Sequence, residues 1–289
     1  MVEDKYGIRP LQEKMLDLLK KFIEMCDKNE LTYFACGGTC LGAVRHNGFI
    51  PWDDDLDVFM PRPDYEKLWK KCGGIDKTGK YMLCRTTQEK NYHHRVMQLV
   101  NLETTFINRR SIKEDIEHGV YIDIIPLDAR PDTFIKKLTQ SLDCILFSVY
   151  NIQNLPEFNG GKLQKIMVGL LLKAVKSSEH RYKIWSRAEK RMSQYDWKTA
   201  DEVIELTTAF KNLWKPRPQK WFNGVVKHDF EDIQINLMAE YEKYLTQGFG
   251  DYMKLPPESE QHPRHNTVLI DLEHSYKVYR GKAYLVEKE

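Results

Sequence analysis

The first apolar positions of the chain recur at intervals of three and four residues. Leu11, Leu18 and Phe22 belong to this series, which predicts a helix over 10–31 with one buried face. Pro10 suits the first turn of such a helix. The same spacing predicts further helices over 134–152, 162–176 and 179–194.

Short apolar runs between these segments predict strands. The run 32–36 is ended by Gly37-Gly38 and is followed by a short helical pattern over 39–46. A second strand is predicted over 56–60, with a helix over 64–72 after two prolines. Further strands are predicted over 81–86, 96–107 and 120–125.

The order of these elements predicts an α+β fold. We expect residues 1–130 to form a core with a mixed β-sheet flanked by helices, and residues 131–289 to form a mostly helical region. The length of 289 residues exceeds the usual domain size of ~100–150, which fits a core with an appended part.

Composition narrows the class of protein. Hydrophobic residues make up 42% of the chain, with 15 Tyr, 12 Phe and 6 Trp, so a globular fold is expected. The net charge of +2 argues against nucleic acid as the main partner. The six cysteines are scattered and fit reduced thiols better than disulfides.

The pattern at the N-terminus and the length of the apolar runs bear on location. No basic stretch followed by an apolar core opens the chain, so a cytoplasmic location is expected. No run approaches the ~20 apolar residues that span a bilayer. Residues 134–176 mix apolar side chains with lysines, and two interpretations stay open: peripheral contact with a membrane, or helices whose apolar faces pack together.

An acidic run, Asp53-Asp54-Asp55-Leu56-Asp57, carries the densest chemistry. Residues two apart on an extended strand share a face, so Asp55 and Asp57 point the same way. Crowded carboxylates repel unless a cation lies between them, and Mg²⁺ prefers such oxygen ligands. The pattern therefore predicts a metal site, with a solvated acidic turn as the alternative. A calcium-binding EF-hand loop is excluded because Val58 and Asp64 stand where it needs glycine and glutamate.

A third acid, Asp123, lies inside the apolar run 119–126. If this strand pairs beside 56–60, Asp123 completes a three-carboxylate cluster that can activate a hydroxyl. A strand-end acid facing water is the alternative. Asp128, just beyond Pro126, is expected to cap a turn.

The turn Gly37-Gly38-Thr39 precedes a predicted helix. Free backbone N–H groups and a helix N-terminus can bind a phosphate there. Arg45 and His46, between this turn and the acids, are candidates for contacts with a phosphate or a hydroxyl.

The sequence of residues 37–57, GGTCLGAVRHNGFIPWDDDLD, resembles the signature of the LicD family. That family belongs to the nucleotidyltransferase-fold superfamily and includes bacterial phosphocholine transferases and fukutin-type proteins. Further resemblance lies at 121–128 and in short stretches of 221–257. It covers most of the chain.

The resemblance implies a nucleotidyltransferase fold and metal-dependent transfer of a phosphorylated alcohol. The first expectation is phosphocholine, taken from CDP-choline and moved to a sugar hydroxyl of a cell-surface glycan or its precursor, with release of CMP. The metal would be Mg²⁺ or Mn²⁺, and the acceptor can be lipid-linked. Residues 131–289 would complete the donor and acceptor site.

The family's site residues carry over to positions that match its motif. The metal acids are Asp53, Asp55, Asp57 and Asp123, of which the last three are also the expected catalytic residues. The phosphate-side turn is Gly37, Gly38 and Thr39. The family's basic tail residues correspond to His262, Arg264 and His265 in a slightly different arrangement, so their role stays open.

Two other functions stay open. One is a nucleotidyltransferase that uses CTP or another NTP to make an activated donor, which would release pyrophosphate instead of CMP. The other is a catalytically silent glycan-binding protein on the same scaffold, which the intact acids Asp55, Asp57 and Asp123 disfavour.

Overall fold

The computed structural model describes residues 4–153, 162–207 and 213–286. Its helices are α1 (Arg9–Lys28), α2 (Gly37–His46), α3 (Arg62–Cys72), α4 (Phe134–Ile152), α5 (Lys162–Ala174), α6 (Ser178–Met192) and α7 (Tyr241–Phe249). Its strands are β1 (Phe34–Ala35), β2 (Asp57–Pro61), β3 (Gly74–Ile75), β4 (Tyr81–Cys84), β5 (Met97–Asn101), β6 (Thr105–Asn108), β7 (Val120–Arg130), β8 (Glu202–Ile204), β9 (Arg217–Pro218), β10 (Val225–Phe230), β11 (Ile233–Met238) and β12 (Thr267–Asp271). The α+β class is confirmed.

A mixed sheet forms the centre of the described ranges. Its order is β1-β2-β7-β5-β4-β3, with β8 beside β7 and β9 beside β8. The β2–β7 pair is parallel and its neighbours are antiparallel. Strand β7 is long enough to pair with β2 and β5 along its first part and with β8 at its end.

Helix α1 packs its apolar face on this sheet. Leu18, Leu19 and Phe22 are fully buried in the main apolar cluster, which also contains Ile122 and Ile124 of β7. Each such side chain contributes about 1.5–3 kcal/mol by leaving water. The apolar spacing therefore predicted both the helix and its buried side.

The helices α4, α5 and α6 form a second apolar cluster, which includes Phe147, Trp185 and Ile204 of β8. Gln140 joins this layer to the sheet, because its amide donates to the carbonyl oxygens of Ala129 (2.9 Å) and Met192 (2.8 Å). No helix in the described ranges is both long and apolar enough to cross a membrane. The division at residue 130 stays a prediction.

The strand predicted over 96–107 is in fact two strands, β5 and β6. Asn101 makes the turn between them: its side chain accepts from the N–H of Glu103 (3.1 Å), and its carbonyl oxygen accepts from the Thr104 hydroxyl (2.9 Å). These local bonds compete with strand pairing. Strand β6 leaves the sheet and pairs with β12.

The prediction that Asp128 caps a turn is wrong. The strand predicted over 120–125 continues to Arg130, and Asp128 is fully buried within it. A buried carboxylate needs a partner. Arg62 supplies two hydrogen bonds, from Nε at 2.7 Å and from Nη2 at 2.8 Å, and its Nη1 reaches Glu189 of α6 at 3.2 Å.

Candidate active site

The turn before α2 places two glycines against carboxylates. Gly37 has a φ of +53°, which glycine adopts readily, and its N–H donates to the Tyr244 hydroxyl at 2.8 Å. A β-carbon on Gly38 would lie 2.2 Å from Oδ2 of Asp53, and one on Gly37 would lie 3.6 Å from Oδ2 of Asp57. The glycines therefore let the acids approach the start of α2.

Thr39 links α2 to strand β2. Its hydroxyl oxygen accepts a hydrogen bond from the backbone N–H of Asp57 at 2.9 Å, and the residue is buried. The Cys36 N–H donates to the Asp57 carbonyl oxygen at 3.2 Å. These two bonds fix the backbone of Asp57. The predicted contact of Thr39 with a phosphate stays a prediction.

Asp57 and Asp123 are brought together by strand pairing. They are direct partners in the parallel β2–β7 ladder, so their side chains project from the same face of the sheet. The Asp123 N–H donates to the carbonyl oxygen of Leu56 at 3.0 Å. The strand pairing on which the three-carboxylate cluster depends is therefore present.

The acids of the site are crowded and half-buried. Burial, followed by the charge of Asp55, raises the pKa of Asp53 to about 8 and raises the pKa of Asp57 well above its usual range. Burial also raises the pKa of Asp123 to about 6, although Gln98 donates to its Oδ1 at 2.7 Å. The negative charges are therefore poorly compensated by the protein alone.

The donor chemistry suits a hard divalent cation, because carboxylate oxygens are the ligands that Mg²⁺ and Mn²⁺ prefer. A cation would also relieve the repulsion that raises the pKa of Asp53 and Asp57. In the described ranges, however, no group of three or more histidine, cysteine or acidic side chains is already arranged to hold a metal. The metal-binding roles of Asp53, Asp55, Asp57 and Asp123 stay predictions.

Asp54 has a role that the sequence reasoning missed. It is buried and accepts hydrogen bonds from the backbone N–H groups of Arg264 (3.1 Å) and His265 (3.0 Å), and it contacts Nδ1 of His265 at 3.1 Å. Nε2 of His265 lies 4.0 Å from Oδ2 of Asp55. Asp54 lies just before β2, and its carboxylate holds the C-terminal segment through these hydrogen bonds.

The side chains of His262, Arg45 and His46 have other contacts. His262 is exposed, with Nδ1 3.0 Å from the Pro263 carbonyl oxygen. Arg45 Nη1 donates to the carbonyl oxygens of Tyr252 (3.0 Å) and Lys254 (3.3 Å). Nε of Arg45 donates to Nε2 of His46 at 3.0 Å. The predicted phosphate or hydroxyl contacts of Arg45 and His46 stay predictions.

Arg217 is a further residue that no local pattern indicated. Its guanidinium lies 5.0 Å from the ring centre of Tyr244 and 5.5 Å from that of Phe59, which shares a strand face with Asp57. Its Nε and Nη1 are buried without a hydrogen-bond partner, and Glu205 is 3.9 Å from Nη1. Such a guanidinium is suited to an anionic group of a substrate.

Comparison with known proteins identifies the fold that carries this site. Residues 30–163 match the model described as the LicD/FKTN/FKRP nucleotidyltransferase domain. The chain carries a LicD-family domain. The resemblance first seen at 37–57 is thereby confirmed, and the LicD domain contains every predicted metal acid and the whole glycine turn.

Three curated relatives extend the comparison. The lipopolysaccharide cholinephosphotransferase LicD of Haemophilus influenzae is 28% identical over 272 residues, which cover 90% of this chain and 97% of that protein. An uncharacterised protein of Rickettsia prowazekii is 46% identical over 80 residues, 25% of this chain and 30% of that protein. One of Rickettsia typhi is 46% identical over 50 residues, 17% and 16% of the two chains. The likeness to the Haemophilus protein therefore extends well beyond the LicD domain.

Proposed function

We propose that this protein transfers a phosphorylated alcohol to a sugar hydroxyl of a cell-surface glycan or its precursor, acting from the cytoplasm. The proposed donor is CDP-choline, and the products are the phosphocholine-bearing glycan and CMP. The observation that carries the proposal is the pairing of Asp57 with Asp123 beside the Gly37-Gly38 turn. The name of the Haemophilus relative, a lipopolysaccharide cholinephosphotransferase, supports this class of reaction.

The residues proposed to hold the metal are Asp53, Asp55, Asp57 and Asp123. Mg²⁺ or Mn²⁺ bound there would neutralise the donor diphosphate and the leaving CMP. Arg217 would add a positive charge at the same face of the sheet, where its guanidinium lies over Phe59 and has buried N–H groups without hydrogen-bond partners. The N-terminal end of α2 would contribute its dipole.

Asp123 is the proposed general base. Gln98 occupies its Oδ1, so Oδ2 is left to accept the proton of the acceptor hydroxyl. The hydroxyl oxygen forms the new bond to phosphorus as the bond from phosphorus to the CMP oxygen breaks, and CMP leaves with that electron pair. The protein would mainly position the reactants and stabilise charge.

The test is CMP release from a panel of CDP-alcohols, with Mg²⁺ or EDTA and a crude glycan extract as acceptor. We expect release from CDP-choline that needs the metal and is lost in Asp57→Asn. Asp132→Asn is the matched control, because Asp132 is exposed and outside the site, and it should retain full release. Release that persists in EDTA or in Asp57→Asn would contradict the proposal.

A nucleotidyltransferase that uses an NTP is the second candidate. The description of the matched domain as a nucleotidyltransferase domain favours it. Pyrophosphate release from CTP, with no CMP release from any CDP-alcohol, would select this candidate instead.

A further inference from the structure

The apolar face of α4 is covered along only part of its length. Phe134, Ile135, Leu138 and Leu142 lie on one face, and the first two side chains are 77% and 74% exposed. Nearer the end of the helix, Val149 is buried in the second apolar cluster. The buried side of α4 includes polar residues, among them Gln140, Asp143 and Asn151. The first half of α4 therefore exposes the kind of side chain that helices normally bury.

Helix α5 shows the same feature next to α4. Val168 is buried in the second cluster, and Leu171 and Leu172 pack against it. The Tyr150 hydroxyl donates to the Leu171 carbonyl oxygen at 3.0 Å and joins the two helices. The opposite side of α5 exposes Ile166, Met167 and Leu170. We call these three and the four exposed residues of α4 the α4–α5 apolar surface.

The exposed charges on the described parts of α4 and α5 are positive, and Asp132 is an exposed acid just before α4. Lys136 and Lys173 are exposed on the two helices, and Lys176 is exposed just beyond α5. Among the described side chains of α4 and α5, the acid is Asp143, which is held by Arg191 of α6. Apolar side chains with flanking lysines are typical of helices that lie in the interface of an anionic bilayer.

We propose that the α4–α5 apolar surface docks on an anionic lipid bilayer. Anionic headgroups would attract the three lysines while the apolar side chains enter the interface. A second copy of the chain fits less well, because its own lysines would meet those of the first copy. Docking goes beyond the proposed reaction and would hold the enzyme at the surface where a lipid-linked acceptor is found.

The test is co-sedimentation of the full chain with lipid vesicles. We expect binding to vesicles that contain phosphatidylglycerol, weaker binding to phosphatidylcholine alone, and loss of binding at high salt. The variant Phe134→Ser/Leu138→Ser should bind at least about tenfold more weakly, because two apolar side chains no longer enter the interface.

The matched control is Ile75→Ser/Val268→Ser. It also removes two exposed apolar side chains, from β3 and β12, and should bind like the parent. Equal thermal midpoints of the two variants would show that the fold is kept. Equal binding of both variants, or no binding by the parent, would overturn the proposal. A dimer in solution that Phe134→Ser/Leu138→Ser dissociates would assign the surface to a second copy and would overturn it too.

Discussion

Gly38 shows how closely two parts of the site approach. We expect Gly38→Ala to reduce CMP release by about 100-fold, because its β-carbon would meet Oδ2 of Asp53 at 2.2 Å and displace that carboxylate. Steady-state assays measure the loss. Gly248→Ala is the control, since no atom lies within 4 Å of a β-carbon there and alanine suits helix α7. A Gly38→Ala enzyme with normal turnover would contradict the geometry.

His93 gives a pH dependence of stability. Burial alone lowers the pKa of His93, but the hydrogen bonds with Glu114 and with the Ile152 carbonyl oxygen raise it overall above 6.5. A raised pKa means that the folded state binds the proton more tightly than the unfolded state. The stabilisation is therefore complete below pH 6.5 and is lost as the pH rises through the folded-state pKa.

The measurement is urea unfolding across this pH range for the parent and for His93→Gln. We expect the parent to have a larger free energy of unfolding than His93→Gln at acidic pH. This difference between the two proteins should shrink as the pH rises. A difference that stays constant with pH would show that the charge of His93 does not stabilise the fold.

At the scale of residues, the sequence allowed prediction of the parts of the site that are close along the chain. The glycine turn and the acids at 53–57 form one local pattern, and Asp123 could be added because its strand is apolar. Gln98, Arg217 and Tyr244 could not be predicted, since only the fold brings Gln98 to Asp123 and brings Tyr244 to Gly37 and Arg217. The anchoring role of Asp54 could not be predicted, because Asp54 stands within a run of acids and its partners lie far along the chain.

Among the elements, β7, α3 and α6 are joined by the ion pairs of Arg62. We expect Arg62→Ala to lower the free energy of unfolding by about 3–5 kcal/mol, because Asp128 would be left buried without its partner. Urea unfolding measures this change.

The double variant Arg62→Met/Asp128→Asn separates the charge from the packing. It removes both buried charges and should recover part of the stability lost in Arg62→Ala. A double variant less stable than Arg62→Ala would mean that the ion pair itself, and not the unpaired acid, supplies the stability.

Elements with a long regular pattern were predicted well. The bounds of α4, 134–152, agree with the predicted ones. Apolar residues recur every three or four positions along one face of this helix, and no polar residue breaks that series. The division of β5 from β6 was missed, because the turn at Asn101 and Thr104 lies within an apolar run and depends on side-chain hydrogen bonds.

In the whole molecule, segments near the end of the chain pack against strands from its first half. Tyr276 and Tyr284 pack in a third apolar cluster with Tyr92 and Val100, and β12 pairs with β6. Pattern reasoning assigned strands and helices to their places along the chain, but it carries no information about which distant segments meet. The pairing of β2 with β7 could be raised as a condition, because a carboxylate inside an apolar strand needs a partner, but the parallel direction was seen only in the structure.

The contact between Asp54 and Arg264 spans 210 residues of sequence. At a synthesis rate of roughly 5–20 residues per second, Asp54 is added to the chain roughly 10–40 s before its backbone donors are made. During that interval the acidic run has to fold, or wait, without the segment that later holds it. Completion of the site is therefore a late event in the synthesis of the chain, and a product truncated before residue 264 would lack the segment that holds Asp54.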